Sequence, residues 1–580
     1  MTICDLIQDS GDFGTSNFKK KRSRLTRLQK WLVIGLISLF VILSVVADLS
    51  WSLKNTYAAF DLGARSFNML NQITPDMRYS GGGSGMLSSS LVWTIVLKIF
   101  YSIIPSRMLC LRVMSLFFSC LTIFFLFRLS RLLFSRIVAF LFLFLLVTSP
   151  FYVESMRAFG WNSLSYLVVV ISLNLLVGSL KNEKVVLKIL LLAFFSIVML
   201  SLYLIGRLVI LLPVIFFLVY IKTDWRKMLL YLLFLVGLIL IIDFSFKSRS
   251  FNPKEFFLCS IQDVGFKLTG TAYEWLGVRD AEDPKEIKKY ELGQWKRSES
   301  LKLVLRDNIQ YAFGYLSGLN RVHFSDKDCY SRLFNIVYTP FLLLGFLICI
   351  KRRNRSTILL LLLFCLFFLV PLFSSKIEPR RLMFSLCPIY LLIALGIRFV
   401  YLLLLDARYF KSYFGRFKYL LLALLIIIGG CDICEFLFVV SKPAFNYSRS
   451  RLKKMADEII VLGEDSDTIK YNWISIDLIW GNPYLVNHPK SLKLHWMGPY
   501  ERSGFRPSLE EAEKGGERLL YLYALYPHPY YTEESFVSIN SQFAWIRKHY
   551  PDSVNFSQIP GTELYYLQFD GTKKLSPDAR

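Results

Sequence analysis

Two stretches of this sequence decide its fold: WLVIGLISLFVILSVVA at residues 31–47 and ILLLLLFCLFFLVPLF at residues 358–373. Each comes close to the roughly 20 apolar residues that an α-helix needs to cross the hydrocarbon core of a bilayer. The 580 residues are 54% hydrophobic and 16% aromatic, and the mean hydropathy is +0.45, above that of ordinary soluble chains. The sequence therefore predicts an α-helical polytopic membrane protein and argues against a large soluble enzyme with buried helices.

Similar apolar runs recur along the chain and predict about eleven transmembrane helices. They lie near residues 31–47, 106–127, 137–153, 162–180, 185–202, 207–221, 228–244, 333–350, 356–373, 383–400 and 419–440. No small-residue cleavage site follows the first run, so we interpret it as an uncleaved anchor and not as a removable signal peptide.

Positive charges determine the predicted orientation. The segment KKKRSRLTRLQK, residues 19–30, precedes the first span and keeps the basic N-terminus, residues 1–30, in the cytoplasm. The other short basic connections fall on the same, cytoplasmic side. In chain order they contain Arg128, Arg131 and Arg136; Lys181 and Lys184; Lys222, Arg226 and Lys227; KRRNR at 351–355; and the segment 408–418. An odd number of spans places the C-terminus outside, in a multi-pass plasma membrane protein of the bacterial inner-membrane type.

This topology divides the chain into a transmembrane domain at residues 31–440, with outer loops at about 48–105 and 245–332, and an extracytoplasmic domain at 441–580. In the last region a charged helical pattern, SRLKKMADEIIVLG, is followed by strand-like runs, WISIDLIW, RLLYLYALY and ELYYLQF, and by a helical pattern around FAWIRKHY. These patterns predict a small α/β domain.

Other features of the outer side yield narrower predictions. The apolar segment 90–104 is interrupted by Lys98, so we interpret it as a helix that lies at the membrane surface. An oxidising compartment would allow Cys259 and Cys329, in the second outer loop, to form a disulfide. None of the five histidines has metal-ligand spacing, so no metal site is predicted and a requirement for a divalent cation stays open.

Asp432 and Glu435 are unusual because they lie in the last predicted span. Ionisable groups in a span are costly and are often functional. A separation of three residues places both carboxyl groups on one helix face. They are candidates for lining a substrate cavity or for lying at the interface under the C-terminal domain.

Four local patterns occur in an order that points to a known family. The first is an outer loop with Asp48 or Asp61, followed by the surface helix and by Arg107 or Arg112. The other three are LLVTSPFYVESMRAFGWNSLSYL, with Ser149, Pro150 and Arg157; SLYLIGRLVILLPV, with Tyr203 and Arg207; and EPRRLMFSLCPIYLLIA, with Arg380, Arg381 and Pro388.

In this order the patterns resemble the GT-C membrane glycosyltransferases, a group that includes protein O-mannosyltransferases and the aminoarabinose transferases of lipid A. The resemblance covers about residues 30 to 400. It implies an inverting enzyme that takes a sugar from a polyprenyl-phosphate carrier on the outer membrane face. The implied partners are this donor, membrane lipids, and a lipid, glycan or protein acceptor, with no nucleic acid. The sugar and the acceptor are not specified by the sequence.

The resemblance also implies roles for individual residues. Asp61 or Asp48 would be the base that takes the proton of the acceptor. The leaving phosphate would be bound by guanidinium groups, for which the candidates are Arg78, Arg157, Arg207, Arg380 and Arg381. Tyr203 would line the substrate cavity, for which Asp432 and Glu435 are candidates because of their charges inside the last predicted span. The structural alternative for each arginine is that it only extends from a helix end toward lipid headgroups.

The chain departs from the family at one point. Members usually carry an adjacent Asp-Glu pair in the first outer loop, and this loop has only single acidic residues at the matching places. We favour Asp61, in AAFDLGARSF, over Asp48. A polysaccharide polymerase or ligase, a transporter of lipid-linked sugars and an inactive relative are the alternatives.

Overall fold

The computed structural model of the protein describes most of the predicted membrane region and part of the C-terminal region. The described residues are 26–53, 91–105, 107–158, 160–180, 184–200, 209–247, 313–318, 321–324, 329–369, 382–406, 414–441, 449–471, 482, 484–485, 488, 490, 509, 512–524, 548, 550, 554–560 and 564–572.

The described part of the chain is mostly helical. In chain order the helices are α1 (Arg27–Leu53), α2 (Leu91–Ile103), α3 (Arg107–Leu133), α4 (Arg136–Thr148), α5 (Pro150–Ala158), α6 (Gly160–Ser179), α7 (Val185–Leu200), α8 (Leu211–Val219), α9 (Ile221–Lys247), α10 (Thr339–Arg352), α11 (Arg355–Phe364), α12 (Leu386–Asp406), α13 (Phe414–Glu435) and α14 (Arg449–Glu464). Two 3₁₀-helices span Ile336–Tyr338 and Met383–Ser385, and π-helices continue α11 over Cys365–Leu369 and α13 over Phe436–Val440.

Within the described residues, six short strands form two sheets. They are β1 (Arg321–Phe324), β2 (Cys329–Arg332), β3 (Thr468–Tyr471), β4 (Arg518–Ala524), β5 (Val554–Gln558) and β6 (Leu564–Asp570). Strands β1 and β2 form an antiparallel hairpin that the sequence patterns did not predict. The other four form one sheet in the order β3-β4-β6-β5, in which only the β3–β4 pair is parallel.

The helices are those of a polytopic membrane protein. Among the described residues, four helices are long and apolar enough to cross a membrane: Arg27–Ala47, Leu109–Leu133, Met383–Leu404 and Tyr419–Val440. A fifth candidate is the pair α4 and α5, which is bent by 68°. Each of the eleven predicted segments overlaps a helix, but their number stays a prediction because several of these helices are shorter.

The structure corrects the boundaries of several predicted spans. The third predicted span, 137–153, is two helices with a break at Ser149. Residues expected in cytoplasmic loops belong to helices instead: Arg128 and Arg131 lie in α3, and Lys222, Arg226 and Lys227 lie in α9, which follows α8 after a single residue. A helix can continue past its apolar part in this way, since long basic side chains extend from its end toward water.

The predicted loop KRRNR is likewise shorter than expected. Lys351 and Arg352 complete α10, Arg353 adopts a left-handed conformation with φ 42°, and Asn354 caps α11 by accepting a hydrogen bond from the Thr357 amide at 2.9 Å. The side-chain cap satisfies an amide that would otherwise have no partner at the helix start. Helices α10 and α11 are therefore joined by a two-residue turn.

Glycines bring α10 and α12 into close contact. A Cβ at Gly345 would overlap the carbonyl of Leu392, and a Cβ at Gly396 would overlap the carbonyl of Phe341. The two helices therefore touch backbone to backbone at two points, which lie four residues apart on each helix. Small residues permit this approach between membrane helices, where van der Waals packing replaces the hydrophobic effect.

The chain divides into two compact units, the first made of residues 1–47, 78–95 and 113–442 and the second of residues 48–77, 96–112 and 443–580. In the second unit, α14 buries Leu452, Met455, Ala456, Ile459 and Ile460, the spacing of one helix face. Alternate residues of β4, Leu519, Tyr521 and Tyr523, pack with Leu567 and Phe569 of β6 in one core. Helix α14 and strands β4 and β6 coincide with predicted patterns, whereas WISIDLIW and most of FAWIRKHY lie outside the described residues.

Candidate functional site

The break between α4 and α5 has a clear local cause. Ser149 caps α5, because its Oγ accepts a hydrogen bond from the Tyr152 amide at 3.3 Å and its carbonyl accepts one from the Val153 amide at 3.0 Å. Pro150 occupies the first helical position, where its missing N–H has no cost. The Ser-Pro pair of the second family-like pattern thus begins a new helix at an angle of 68° to α4.

Helix α5 carries a buried ion pair. The Arg157 side chain donates hydrogen bonds to Oε2 of Glu154 from Nη2 at 2.7 Å and from Nε at 3.1 Å. The Arg157 side chain is 4% exposed, and that of Glu154 is fully buried. A buried charge is stable only when it is paired and hydrogen-bonded, so Glu154 holds the guanidinium in one position.

Several elements that the sequence separates meet around α5. This helix contacts the π-helix Phe436–Val440, strand β2, the 3₁₀-helix Met383–Ser385 and the end of α13. The segment with Arg157 therefore lies beside the described part of EPRRLMFSLCPIYLLIA and beside the helix that carries Asp432 and Glu435.

Asp432 is buried at the end of α13 and has a specific partner. Its Oδ1 accepts a hydrogen bond from Nδ2 of Asn335 at 3.1 Å, and only 5% of the residue is exposed. The Oδ1 of Asn335 in turn accepts the Val337 amide and caps the 3₁₀-helix that follows. Arg332, at the end of β2, is close enough to Asp432 for their charges to interact.

Two buried tyrosines complete this cluster. The Tyr390 hydroxyl donates to the carbonyl of Leu333 at 3.0 Å and lies near the side chain of Ser149. The Tyr338 hydroxyl lies near the Asp432 carboxylate. We call Asn335, Tyr338, Tyr390, Asp432 and Glu435 the carboxylate–tyrosine cluster.

The backbone around Tyr338 is held by contacts from residues 313–318. Gly318 has φ 68°, a left-handed conformation that favours glycine, and a Cβ there would meet Cα of Ile336 at 2.8 Å. The Thr339 hydroxyl donates to the Ser317 carbonyl at 2.8 Å. The turn that carries Asn335 and Tyr338 is therefore fixed from a second side.

Most of the other site residues suggested by the sequence are not described. Asp61, Arg78, Tyr203, Arg207, Cys259, Arg380 and Arg381 lie outside the described residues, so their roles stay predictions. Asp48 belongs to α1. Cys329 is in β2, where it pairs with Phe324, and the proposed disulfide with Cys259 stays a prediction. Helix α2 covers the predicted surface helix.

Five residues of this region were not predicted from the sequence: Glu154, Arg332, Asn335, Tyr338 and Tyr390. Only Glu154 has a local signal, since acidic and basic residues three positions apart meet on a helix. The others come together only through packing of the bundle. Within the described ranges no group of three His, Cys, Asp or Glu residues is arranged to hold a metal ion.

The arrangement of the membrane helices is the fold of the GT-C glycosyltransferases. It is similar to the archaeal oligosaccharyltransferase AglB from Archaeoglobus fulgidus in complex with an inhibitory peptide and a dolichol-phosphate, with a TM-score of 0.53, 13% identity, and coverage of 94% of this chain and 75% of AglB. It is also similar to ArnT from Cupriavidus metallidurans bound to undecaprenyl phosphate, with a TM-score of 0.50, 11% identity, and coverage of 92% of this chain and 98% of ArnT.

A sequence match to one family of glycosyltransferases agrees with the fold. The family described as dolichyl-phosphate-mannose-protein mannosyltransferase matches residues 88–245, which include the first three family-like patterns from the surface helix onward. A search of curated protein sequences finds no match. The GT-C resemblance indicated by the sequence is thus confirmed by the fold and by this segment.

Proposed function

We propose that this protein is a membrane glycosyltransferase that moves a sugar from a polyprenyl-phosphate carrier to a lipid, glycan or protein acceptor. One observation carries the proposal: the segment that matches the mannosyltransferase family, residues 88–245, contains the broken helix with Arg157, within a GT-C fold. AglB and ArnT, which share the fold, were solved with dolichol-phosphate and undecaprenyl phosphate.

The reaction needs a base and a stabilised leaving group. A carboxylate, Asp61 or Asp48, would take the proton of the acceptor as the acceptor atom attacks the anomeric carbon of the sugar. The bond from that carbon to the phosphate oxygen breaks, and its electron pair leaves with the polyprenyl phosphate. A single displacement of this kind inverts the anomeric configuration. The chemistry is compatible with a metal-dependent or a metal-independent enzyme.

The arginines would stabilise the phosphate that leaves. Guanidinium groups bind phosphate oxygens through two parallel hydrogen bonds, and Arg157 is held beside the end of α13 by Glu154. Arg78, Arg207, Arg380 and Arg381 are candidates to bind the same group. A set of arginines at the outer face runs against the usual bias of basic residues toward the cytoplasm, which supports a function for the set.

The proposed topology has the N-terminus in the cytoplasm and residues 441–580 outside a bacterial inner membrane. The pattern of basic residues supports it. Fusions of alkaline phosphatase after Arg580 and after Asn354, in the predicted cytoplasmic turn between α10 and α11, test the topology: we expect high phosphatase activity from the first and none from the second. The opposite pattern would place every residue assigned to the outer face on the cytoplasmic side.

Transfer of radiolabelled sugar tests the enzyme function directly. Membranes with wild-type protein, Asp61→Asn or Asp48→Asn would be incubated with a panel of polyprenyl-phosphate sugars and extracted for labelled lipid, glycan and protein. We expect transfer by the wild type and its loss in the variant that lacks the base. Membranes with the conservative variant Asp457→Asn, in the exposed part of α14, are the control. No transfer from any donor would favour a polymerase, a ligase or a transporter.

A further inference from the structure

The carboxylate–tyrosine cluster contains polar groups that the protein itself does not satisfy. The Tyr338 hydroxyl is buried, with 1% of the residue exposed, and it has no hydrogen-bond partner among the residues that the structure describes. Glu435 is half-buried, and its Oε1 atom, which is buried, also has no hydrogen-bond partner within the described part of the chain. A buried polar group without a partner is costly, and it is a feature that a ligand can explain.

These groups come from several elements that meet at one place. Tyr338 ends the 3₁₀-helix, Tyr390 lies in α12, and both carboxylates lie near the end of α13. The Tyr390 hydroxyl lies near Tyr338, Asp432 and Glu435. The helix α5 with Arg157 contacts both α13 and the π-helix that continues it, so the cluster adjoins the proposed phosphate site.

The chemistry of the cluster restricts what it can bind. Two carboxylates outweigh the charge of Arg332 and repel a phosphate, and a polyprenyl chain would leave the polar groups unsatisfied. Asn335 already donates to Oδ1 of Asp432, and the described residues offer only two carboxylates, too few for a protein cage around a cation. Carboxylate oxygens instead accept hydrogen bonds from hydroxyl groups, and a tyrosine hydroxyl both donates and accepts.

We propose that Tyr338, Asp432 and Glu435, with Asn335 as a positioning residue, form a subsite that binds the hydroxyl groups of a sugar ring. Glu435 and Asp432 accept from the sugar, and Tyr338 donates to it. The inference rests on the proposed function, and the sugar belongs either to the donor or to a glycosylated acceptor. Both sources present the same hydroxyl groups, so binding measurements must distinguish them.

Binding by the full chain in lipid nanodiscs tests the subsite, because nanodiscs avoid sugar-based detergents that would occupy it. The probes are undecaprenyl phosphate, undecaprenyl-phosphate sugars that carry mannose, glucose, N-acetylglucosamine or arabinose, and the octyl glycosides of the same sugars. The variants are Tyr338→Phe and Glu435→Gln, each of which removes one hydrogen-bonding group and keeps the side-chain shape. Matched controls are Tyr419→Phe, at the exposed far end of α13, and Glu464→Gln, at the end of α14.

We expect the wild type to bind at least one sugar-bearing probe more tightly than undecaprenyl phosphate, or to bind at least one octyl glycoside. Each variant should weaken that probe about tenfold or more, since one hydrogen bond to a charged or buried group is lost, while binding of undecaprenyl phosphate changes less than about twofold. Loss confined to the undecaprenyl-phosphate sugars assigns the donor, and loss confined to the octyl glycosides assigns the acceptor.

Two results would overturn the subsite. In the first, the wild type binds no sugar-bearing probe more tightly than undecaprenyl phosphate and binds no octyl glycoside. In the second, Tyr338→Phe and Glu435→Gln bind every sugar-bearing probe as tightly as the control variants do. Failure of the proposed function has a different signature, in which the wild type does not bind undecaprenyl phosphate at all. Binding of octyl glycosides that the two variants lose would then keep the subsite and remove the transferase.

Discussion

Arg157 binds a single oxygen of Glu154 through two of its nitrogens, at 3.1 and 2.7 Å, where both side chains are almost completely buried. Removal of one member of a buried pair leaves an uncompensated charge and typically costs about 3–5 kcal/mol. Replacement of both members by neutral side chains of similar volume is often neutral. The two kinds of variant therefore separate folding from function.

We expect Arg157→Ala to abolish transferase activity and also to lower the thermal stability of the protein, because Glu154 loses its partner. The double variant Arg157→Met with Glu154→Gln should recover most of that stability and remain inactive. Thermal unfolding in detergent and the transfer assay measure the two effects. A folded double variant with wild-type turnover would show that Arg157 has only a structural role.

Arg207→Ala is the companion variant for the phosphate proposal. We expect normal expression and loss of transfer, because a second guanidinium would no longer stabilise the leaving phosphate. Expression in membranes is measured by immunoblot next to the transfer assay. Turnover near the wild-type value in both arginine variants would remove the phosphate-site proposal.

The contact between α10 and α12 depends on two glycines. Gly345→Ala and Gly396→Ala each place a methyl group against a backbone carbonyl of the other helix, which cannot be relieved by a side-chain rotation. We expect each to destabilise the protein by about 1–3 kcal/mol or more. Thermal unfolding of the full chain measures the loss. Gly237→Ala, in α9, is the control, because a Cβ there would have no neighbour within 4 Å.

A second ion network, built around a buried carboxylate, joins the beginnings of α9 and α11. Asp224, which is 2% exposed, pairs with Lys227 at 2.7 Å and with Arg355 at 3.3 Å. The Arg355 guanidinium also lies over the Tyr220 ring, with Cζ 4.9 Å from the ring centroid. One carboxylate thus neutralises two cations from two helices.

Asp224→Ala should therefore lower the free energy of unfolding by about 3 kcal/mol or more. This loss should exceed that caused by Lys227→Ala or by Arg355→Ala. The reason is that both cations lose their partner at once, whereas each single basic variant leaves one pair. Thermal unfolding ranks the three variants. Arg353→Ala is the control, since its side chain donates to the Ile350 carbonyl at an exposed turn. Equal losses in all four would contradict a shared network.

The C-terminal sheet contains a pair with a predictable pH dependence. Asp467 accepts hydrogen bonds from the amide of Arg518 at 2.8 Å and from its guanidinium at 3.4 Å. The hydrogen bond from the amide is the main reason, and the bond from the guanidinium the next, that the pKa of Asp467 lies below its ordinary value of 3.8. A carboxyl group with a lowered folded pKa stabilises above its unfolded pKa, and this contribution is lost as the pH falls through the folded value.

We expect Asp467→Asn to increase amide exchange at the start of β4 at about pH 7, and we expect the difference from wild type to disappear as the pH falls through the lowered folded pKa of Asp467. The effect is small because both side chains are about half exposed and screened by solvent. Hydrogen exchange of the full chain, corrected for the intrinsic rate at each pH, measures it. Asp457→Asn, on the exposed face of α14, should show no such difference, and a constant difference at all pH values would contradict the assignment.

Much of this architecture is a local property of the sequence. Apolar runs predict membrane helices because a bilayer offers no water to hydrogen-bond the backbone, and helices are present at all eleven predicted places. Alternation in RLLYLYALY and ELYYLQF predicts β4 and β6, because side chains of a strand alternate between its two faces. The predicted ends of the helices were less accurate. Lys222 and Arg226, for example, were predicted in a loop but lie in α9, because a helix end can contain basic residues.

The candidate site depends on contacts that such local patterns do not encode. The sequence by itself determined the placement of Asp432 and Glu435 on one helix face, because this depends on residues three positions apart, and it contained the ordered local patterns that resemble the GT-C family. The helix break at Ser149 was missed, because the apolar run 137–153 continues through it. Only the tertiary structure decided that Asn335 binds Asp432, which is 97 residues away, and that Tyr338 and Tyr390 join them. Such contacts depend on how the helices pack, and packing is a property of several surfaces together that no single segment encodes.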